Sequence, residues 1–410
     1  MSAQPAAQSA AKTAVPEHVP PHLVRDWAFS TAPGALEDPF AALSVLHDGP
    51  DIFWSPRVRF DTPAWVVTRH DLICEVAKDP ATFSNHQQSG FSQLMGEDWD
   101  LIPLEKDGLE HGKFRTLMNP LFSPKQVARI EQSVREVAER LIEAIVDKGE
   151  VELMTAFARP FPVSVFLSLM GLPLALAPRF LVWEDGLLHP KSEQERVDAA
   201  FAIKAYLSDV IAERRARPTD DLVSFAVTSR IDGRPLNDEE IMGICYLLFV
   251  AGLDTVASTL GFIFKHLAEH PADQALLRRE PDLRAAAIEE FLRAFSTTTS
   301  HRLVTRDIEF HGVTMRAGDR ITLCWALSGL DEREFAAARD VDFRREHLRH
   351  TTFAVGPHRC IGSHLARREL RIALDLMLDR VPAFRMKPGR RARTHATGVF
   401  GVDDLPLIWT

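Results

Sequence analysis

The stretch IMGICYLLFVAGL, residues 241 to 253, runs for thirteen residues without a charge. Leaving so much apolar surface in water is costly, so the rest of the chain has to wrap around it. Thirteen residues are too few to cross a bilayer. The stretch is therefore expected inside a helix over 237–269 that runs through the core of a soluble protein. Gly252, Asp254 and Thr255 interrupt it at its C-terminal side. Asp and Thr are mediocre in a helix interior, and a buried carboxylate needs a partner. Two readings follow. The helix is kinked, with the threonine bonding back to a carbonyl, or Ala251 and Gly252 open a groove where an acid and an alcohol relay protons to a ligand.

Around this stretch the pattern is mostly helical. Helices are predicted over 124–148, 162–170, 174–186, 196–217, 283–295 and 361–379, with Pro218 and Pro271 as breaks. A strand is expected at 64–68, a hairpin over 309–323, and short strands near Gly401. Residues 84–108 have no sustained period and read as a long loop over a pocket. The fold class is thus mainly α with small β-sheets. With no clean linker and no repeat, residues 35–410 are expected to form one domain behind a loose leader, 1–34, rich in Ala, Ser, Gln and Pro. A net charge of −9 argues against a general nucleic-acid binder. Four scattered cysteines without a CxxC fit a reducing cytoplasm and no cysteine cluster. Neither GxGxxG nor βαβ alternation is present, so the chain does not read as a dinucleotide enzyme.

Two further polar features stand in apolar surroundings. Glu290 and Arg293 share a helix face within AAAIEEFLRAFS; that spacing ordinarily makes a surface ion pair. In FAVGPHRCIG, residues 353 to 362, Gly356 and Pro357 imply a tight turn and set Cys360 just before a helix. Free amides there, with Arg359, would favour a thiolate. A packed cysteine, a nucleophile and a single axial ligand all remain open, and haem iron is the metal centre that needs only one protein thiolate.

Taken together these segments resemble the cytochrome P450 family over about residues 35–410. Phe353, Gly356, Cys360 and Gly362 match its FxxGxxxCxG haem loop, and Glu290 and Arg293 its ExxR pair. Ala251, Gly252, Asp254 and Thr255 match its oxygen-activating segment, and His111 and Arg115 the ends of its HxxxR segment. The resemblance implies a triangular, prism-like domain with haem b between the central helix and the helix after Cys360. Cys360 would be the axial thiolate. His111, Arg115, Arg302 and His358 would hold the haem propionates, Glu290 and Arg293 would brace the core, and Asp254 and Thr255 would deliver the protons that dioxygen activation consumes.

Within the family, FLRAFS, SGLDERE and HLARRE are similar to the bacterial camphor 5-monooxygenase branch of terpenoid hydroxylases. The pocket implied by that branch comprises His86, Trp99, Leu247, Leu248, Ala251, Thr298 and Val399, an apolar wall suited to a monoterpenoid, norisoprenoid or small aromatic. Trp99 replaces a tyrosine whose hydroxyl binds the camphor ketone, which argues against camphor. Electrons would come from a [2Fe–2S] ferredoxin with an NAD(P)H-dependent reductase, docking near Arg115, Arg359, Arg367 and Arg368 on a monomer that binds no membrane. A peroxide-using enzyme fits the Asp254–Thr255 pair less well, and a non-enzymatic haem sensor has no need of it.

Overall fold

The computed structural model describes residues 14–59 and 62–410. Its principal sheet begins with β1 (Ile52–Arg59) and β2 (Thr62–Val67), a pair rich in aromatic and β-branched residues that suit a half-buried pleated surface. Three later strands complete it: β3 (Phe83–Ser84), β4 (Thr299–Val304) and β5 (Arg320–Cys324). The strand order is β1-β2-β5-β4-β3, and only the β2–β5 pairing is parallel. A hairpin of β6 (Arg393–Ala396) and β7 (Phe400–Asp404) lies near the C-terminus.

The helices that matter for the site are α1 (Gly108–Met118), α2 (Pro124–Val146), α3 (Pro160–Leu169), α4 (Ala177–Leu188) and α5 (Glu193–Ala216). They are followed by α6 (Asp238–Gly252), α7 (Asp254–Glu269), α8 (Arg284–Ala294) and α9 (Ser363–Arg380). Local chemistry marks their starts. Ser123 caps α2 ahead of Pro124, and Asn237 and Glu240 form a reciprocal capping box at α6.

The helix expected over 237–269 is two helices. Leu253, at φ −98° and ψ −65°, separates α6 from α7. Carbonyls near such a break lose their intrahelical donors, and Thr255 Oγ1 donates to Ala251 O at 3.0 Å. Across both halves the apolar segment spans 32 residues, long enough for a bilayer; its most apolar window is 67% buried inside the protein, which marks it as a core element. Burial, not the short length inferred from residues 241–253, gives it that place.

The described part of the expected loose leader is anchored at several points, although many of its residues stay exposed. Val19, Leu23 and Phe29 are buried, Arg25 N donates to Trp54 O at 2.9 Å, and the Phe29 ring meets Phe400 at 5.7 Å. Residues 1–13 of that leader lie outside the described residues.

Two apolar clusters form the interior. One joins the sheet to α7, α8 and α9; the other joins α3–α6 to the 84–108 loop. Gly243 lets that loop close on α6, because a Cβ there would stand 2.2 Å from Asp100 O. Ile102 N donates to Gly243 O at 3.3 Å across the same contact.

Candidate functional site

Between the two clusters lies a cavity of about 310 Å³ with an almost wholly apolar wall. Leu247, Leu248 and Ala251 from α6 face it, with Thr255 from α7 and Thr298 before β4. Cys360 opens onto it from the other bounding segment, and no other cysteine among the described residues lines it. Cys74 is half-buried, while Cys245 and Cys324 are buried in the core.

The loop that carries Cys360 is rigid for stated reasons. Cys360 N donates to Phe353 O at 2.8 Å and Arg359 N to Gly356 O at 3.2 Å. Gly356 has φ +75°, and a Cβ on it would meet Ala77 O at 2.8 Å, so a side chain is excluded twice. Arg367 stacks on the Phe353 ring at 4.5 Å and grips Glu289 with Nε at 2.7 Å and Nη2 at 2.9 Å. Cys360 is exposed to the cavity space, and desolvation within that apolar recess raises its thiol, against a lowering by the Gly362 amide and by Arg115, Arg367 and Arg359. The sequence expectation of a ready thiolate therefore needs a cation at sulfur; metal ligation removes the thiol proton outright.

One flank of the cavity holds an excess of donors. His111 and Arg115 stand one turn apart on α1, and the His111 and His358 rings are 4.0 Å apart. His358 Nε2 contacts Asp107 Oδ1 at 3.1 Å, which leaves His111 Nε2 buried without a partner. Burial, then the charges of His358 and Arg115, pull His111 down to about 4. Arg302 on β4 is buried, bonds only to Gln88 Oε1 and His301 O, and has no ion pair among the described residues. Burial lowers it to about 10. Arg302 does not line the cavity but lies near enough to His358 for its charge to lower that ring; His358, Arg115 and the orphaned His111 nitrogen do line it, and that donor set is the complement of a bound carboxylate-bearing group.

Behind α9 the Glu290–Arg293 pair is entirely buried. Arg293 makes a bidentate bridge at 2.8 and 2.6 Å and reaches the carbonyls of Gly329, Ala338 and Asp340. Glu290 also accepts from Asp342 N and Arg345.

The pattern described as Cytochrome P450 matches residues 180–394. The chain is 43% identical over 396 residues to a probable cytochrome P450 127A1 of Sinorhizobium fredii, covering 95% of both chains. The chain belongs to the cytochrome P450 family. It shares the triangular architecture of that family: the crystal structure of cytochrome P450 CYP101C1 superposes with a TM-score of 0.87 at 34% identity, over 97% of this P450 and 100% of that chain. CYP101J2 gives 0.86 at 32% identity over the same shares. A steroid C26-monooxygenase of Mycobacterium tuberculosis is 31% identical over 83% of this P450 and 93% of its own length. The protein is thus a P450 monooxygenase whose cofactor is haem b with an axial cysteine thiolate, and it depends on an external electron donor. The single cavity cysteine, the apolar wall and the donors His111, Arg115 and His358 fit that cofactor and its two carboxylates.

Not every expected residue meets the cavity. Trp99 and His86 do not line it. The Trp99 indole packs on Tyr246 at 5.2 Å, and its Nε1 donates to Glu97 Oε2 at 2.5 Å. Glu97 is in turn paired with Lys204 of α5. His86 faces Asp100 at 3.4 Å. Val399 stands one layer back, bridged to Thr298. Asp254 points away from the cavity that Thr255 lines, toward His189 and Ser258. Arg367 and Arg368 are held by Glu289 and Glu131, so the expected open docking cluster is reduced to Arg115 and Arg359. Sequence reasoning missed His189, Glu184 and His395 beside Asp254, and Glu369, a buried carboxyl on the cavity wall that burial raises well above its ordinary value. Only Glu369 had a sequence signal, an acid at an apolar position of the α9 pattern.

Proposed function

We propose that this P450 hydroxylates a compact hydrophobic molecule, of monoterpenoid or norisoprenoid size, with Cys360 as the axial ligand. The observation that carries this is the apolar wall that Leu247, Leu248 and Ala251 turn toward Cys360 across a cavity that haem and substrate have to share. The catalytic unit is residues 35–410. His111, Arg115, Arg302 and His358 hold the haem carboxylates. Bound there, haem supplies dioxygen activation and oxygen transfer to a C–H bond.

The reaction takes one dioxygen, two electrons and two protons per hydroxyl and water formed, so the chain has to meter protons into an apolar site. Thr255 Oγ1, anchored on Ala251 O, holds a hydroxyl at the cavity wall, and Asp254 lies one residue before it as the proton source. Leu247, Leu248 and Ala251 exclude water and position the substrate by shape. Because the Trp99 N–H is committed to Glu97, a substrate ketone finds no donor there, and recognition rests on apolar contact with Thr298 as the polar side chain nearest β4. Electrons come from a [2Fe–2S] ferredoxin, reduced by an NAD(P)H-dependent reductase, that meets Arg115 and Arg359 in the cytoplasm.

The test is optical. Reduced holoprotein with carbon monoxide gives the thiolate-type absorption, and Cys360→Ser abolishes it; a retained signal refutes Cys360 as ligand. A spin-shift screen over terpenoids, ionones and aromatics should select compact apolar compounds. Selection of charged or extended molecules would overturn the substrate class.

A further inference from the structure

Asp254 is buried, and its own helix satisfies only one of its oxygens. Ser258 Oγ donates to Oδ1 at 3.1 Å, whereas Oδ2 has no aligned donor and lies 3.3 Å from His189 Nε2. His189 is the residue that ends α4. A second imidazole, His395 on β6, stands edge to face against it with ring centroids 4.6 Å apart. Nδ1 of His395 contacts Asp403 Oδ1 at 2.7 Å, and its Nε2 is buried without a partner. Asp403 is 37% exposed. The seat of His395 depends on Gly401: a Cβ there would come within 2.5 Å of His395 Cε1, 2.7 Å of its Nε2 and 2.9 Å of Ser258 Oγ. Two imidazoles therefore span the distance from a solvent-reaching carboxylate to the buried one.

We propose that His395 and His189 form the proton entry to Asp254, carrying protons inward from the Asp403 edge. This rests on the reading of Asp254 and Thr255 given above. In the transfer, the N–H bond at His189 Nε2 breaks as an O–H bond forms at Asp254 Oδ2. Neutral His189 keeps its Nδ1–H, so Nε2 is the nitrogen reprotonated: the Nε2–H bond of His395 breaks as the one at His189 Nε2 forms, and solvent at the Asp403 edge returns a proton to His395.

Every charged neighbour of this cluster bears on its titration. Glu184 and Asp185 come from α4, Arg159 from the turn before α3, and Arg393 from β6. Arg159 Nη2 lies 2.5 Å from Asp185 and 3.5 Å from Glu184, and Arg393 3.6 Å from Asp403. Burial lowers His189, but Asp254, Glu184 and Asp185 outweigh it and hold the ring above its ordinary 6.5. Burial raises Asp254, and the attraction of His189 and His395 with the Ser258 bond outweighs that, leaving it ionised. Glu184 is pushed to about 8 by burial and by the Asp254 charge, against Arg159 and His189, so it stays protonated at neutral pH. An imidazolium can release its proton at neutral pH, which an arginine in that place could not.

The experiment uses holoprotein. In its reduced, carbon monoxide-bound form with 15N-labelled histidine, His189 should titrate above 6.5 and move down in Asp254→Asn, which removes the largest raising charge; no downward move overturns the contact. With saturating ferredoxin and reductase, the combined His189→Gln and His395→Gln variant should lower NADH-driven oxygen consumption about tenfold and enlarge its solvent deuterium isotope effect. His189→Arg keeps the charge and should not rescue the rate; full rescue would reduce His189 to an electrostatic brace. In the wild type, the rate should fall as pH rises through the His189 value, because the proton store empties. An unchanged rate and isotope effect in the double variant, alongside a loss in Asp254→Asn, overturns the relay alone. An unchanged Asp254→Asn overturns the reading on which it rests.

Discussion

Replacing Gly243 by alanine isolates the closure of the 84–108 loop on α6. Two effects oppose each other. Alanine in a helix interior gains about 1 kcal/mol over glycine. Against it, the new Cβ would stand 2.2 Å from Asp100 O, and since that atom is backbone, no side chain can rotate away. Relief needs a loop shift approaching 1 Å, an overpacking cost of about 1–3 kcal/mol. The Ile102–Gly243 hydrogen bond, already 3.3 Å long, would go with it, for about 1 kcal/mol more. The net destabilisation is about 1–3 kcal/mol, the difference of those terms. The same loop brings Pro103 and Leu104 to the cavity wall, so the displacement should reach ligands. A cost of about 1.4 kcal/mol is tenfold in affinity, and 4-phenylimidazole, read by optical titration of the holoprotein, should bind roughly tenfold more weakly. Calorimetry should show a midpoint a few degrees lower. If Gly243→Ala instead raised the midpoint and left the titration unchanged, helix propensity would have won and the loop would not depend on this contact.

Other outcomes follow from the buried charges. Arg293→Ala leaves the Glu290 charge in the core with only Arg345 and Asp342 N to meet it, and takes the Arg293 donor from the carbonyls of Gly329 and Ala338, while Asp340 O keeps Arg345. We expect a loss of about 3–5 kcal/mol, a large fraction of the stability of a domain, seen as a collapse in haem-loaded yield; a normal yield and midpoint would refute it. Burial would raise Glu289, but hydrogen bonds from His350 and Arg367 draw it down to about 2. Its folded value is depressed, so its contribution is complete above the ordinary 4.5 and is lost as pH falls toward 2. Because the side chain is about a third exposed, solvent holds the effect to about 1 kcal/mol. Glu289→Gln should therefore flatten the fall of the calorimetric midpoint across that window, and an unchanged acid limb would count against the pairing.

Most of the fold was legible because the helices announce themselves. Ser123-Pro124, Asn237 with Glu240, and Gly362 before Ser363 each mark a start by local chemistry, and the structure places helices there. The break at Leu253 was legible only as polar residues in an apolar run, since nothing in the sequence says whether such a run bends or ends. Cys360 could be framed because its loop is local. The surroundings of Asp254 could not: His189 comes from the middle of the chain and His395 from near its C-terminus, and no spacing relates them. Trp99 failed for another reason. The residue type was read correctly, but Glu97, two positions earlier, takes its one donor and Lys204 fixes that glutamate. Within the described part of the leader, composition was blind to the handful of residues, Val19, Leu23 and Phe29, that find a core to enter.

The break between α6 and α7 has a consequence for how such a chain can change over time. The polar apparatus there joins side chains to the break itself: Thr255 Oγ1 holds the Ala251 carbonyl where one helix ends, and Ser258 holds Asp254 where the other begins. The side chains that give the cavity its shape, Leu247, Leu248 and Thr298, lie on either side of it and share no hydrogen bond with it. Cavity shape can therefore drift by ordinary apolar substitution while the proton-handling geometry stays fixed. A new substrate can be acquired without rebuilding the chemistry.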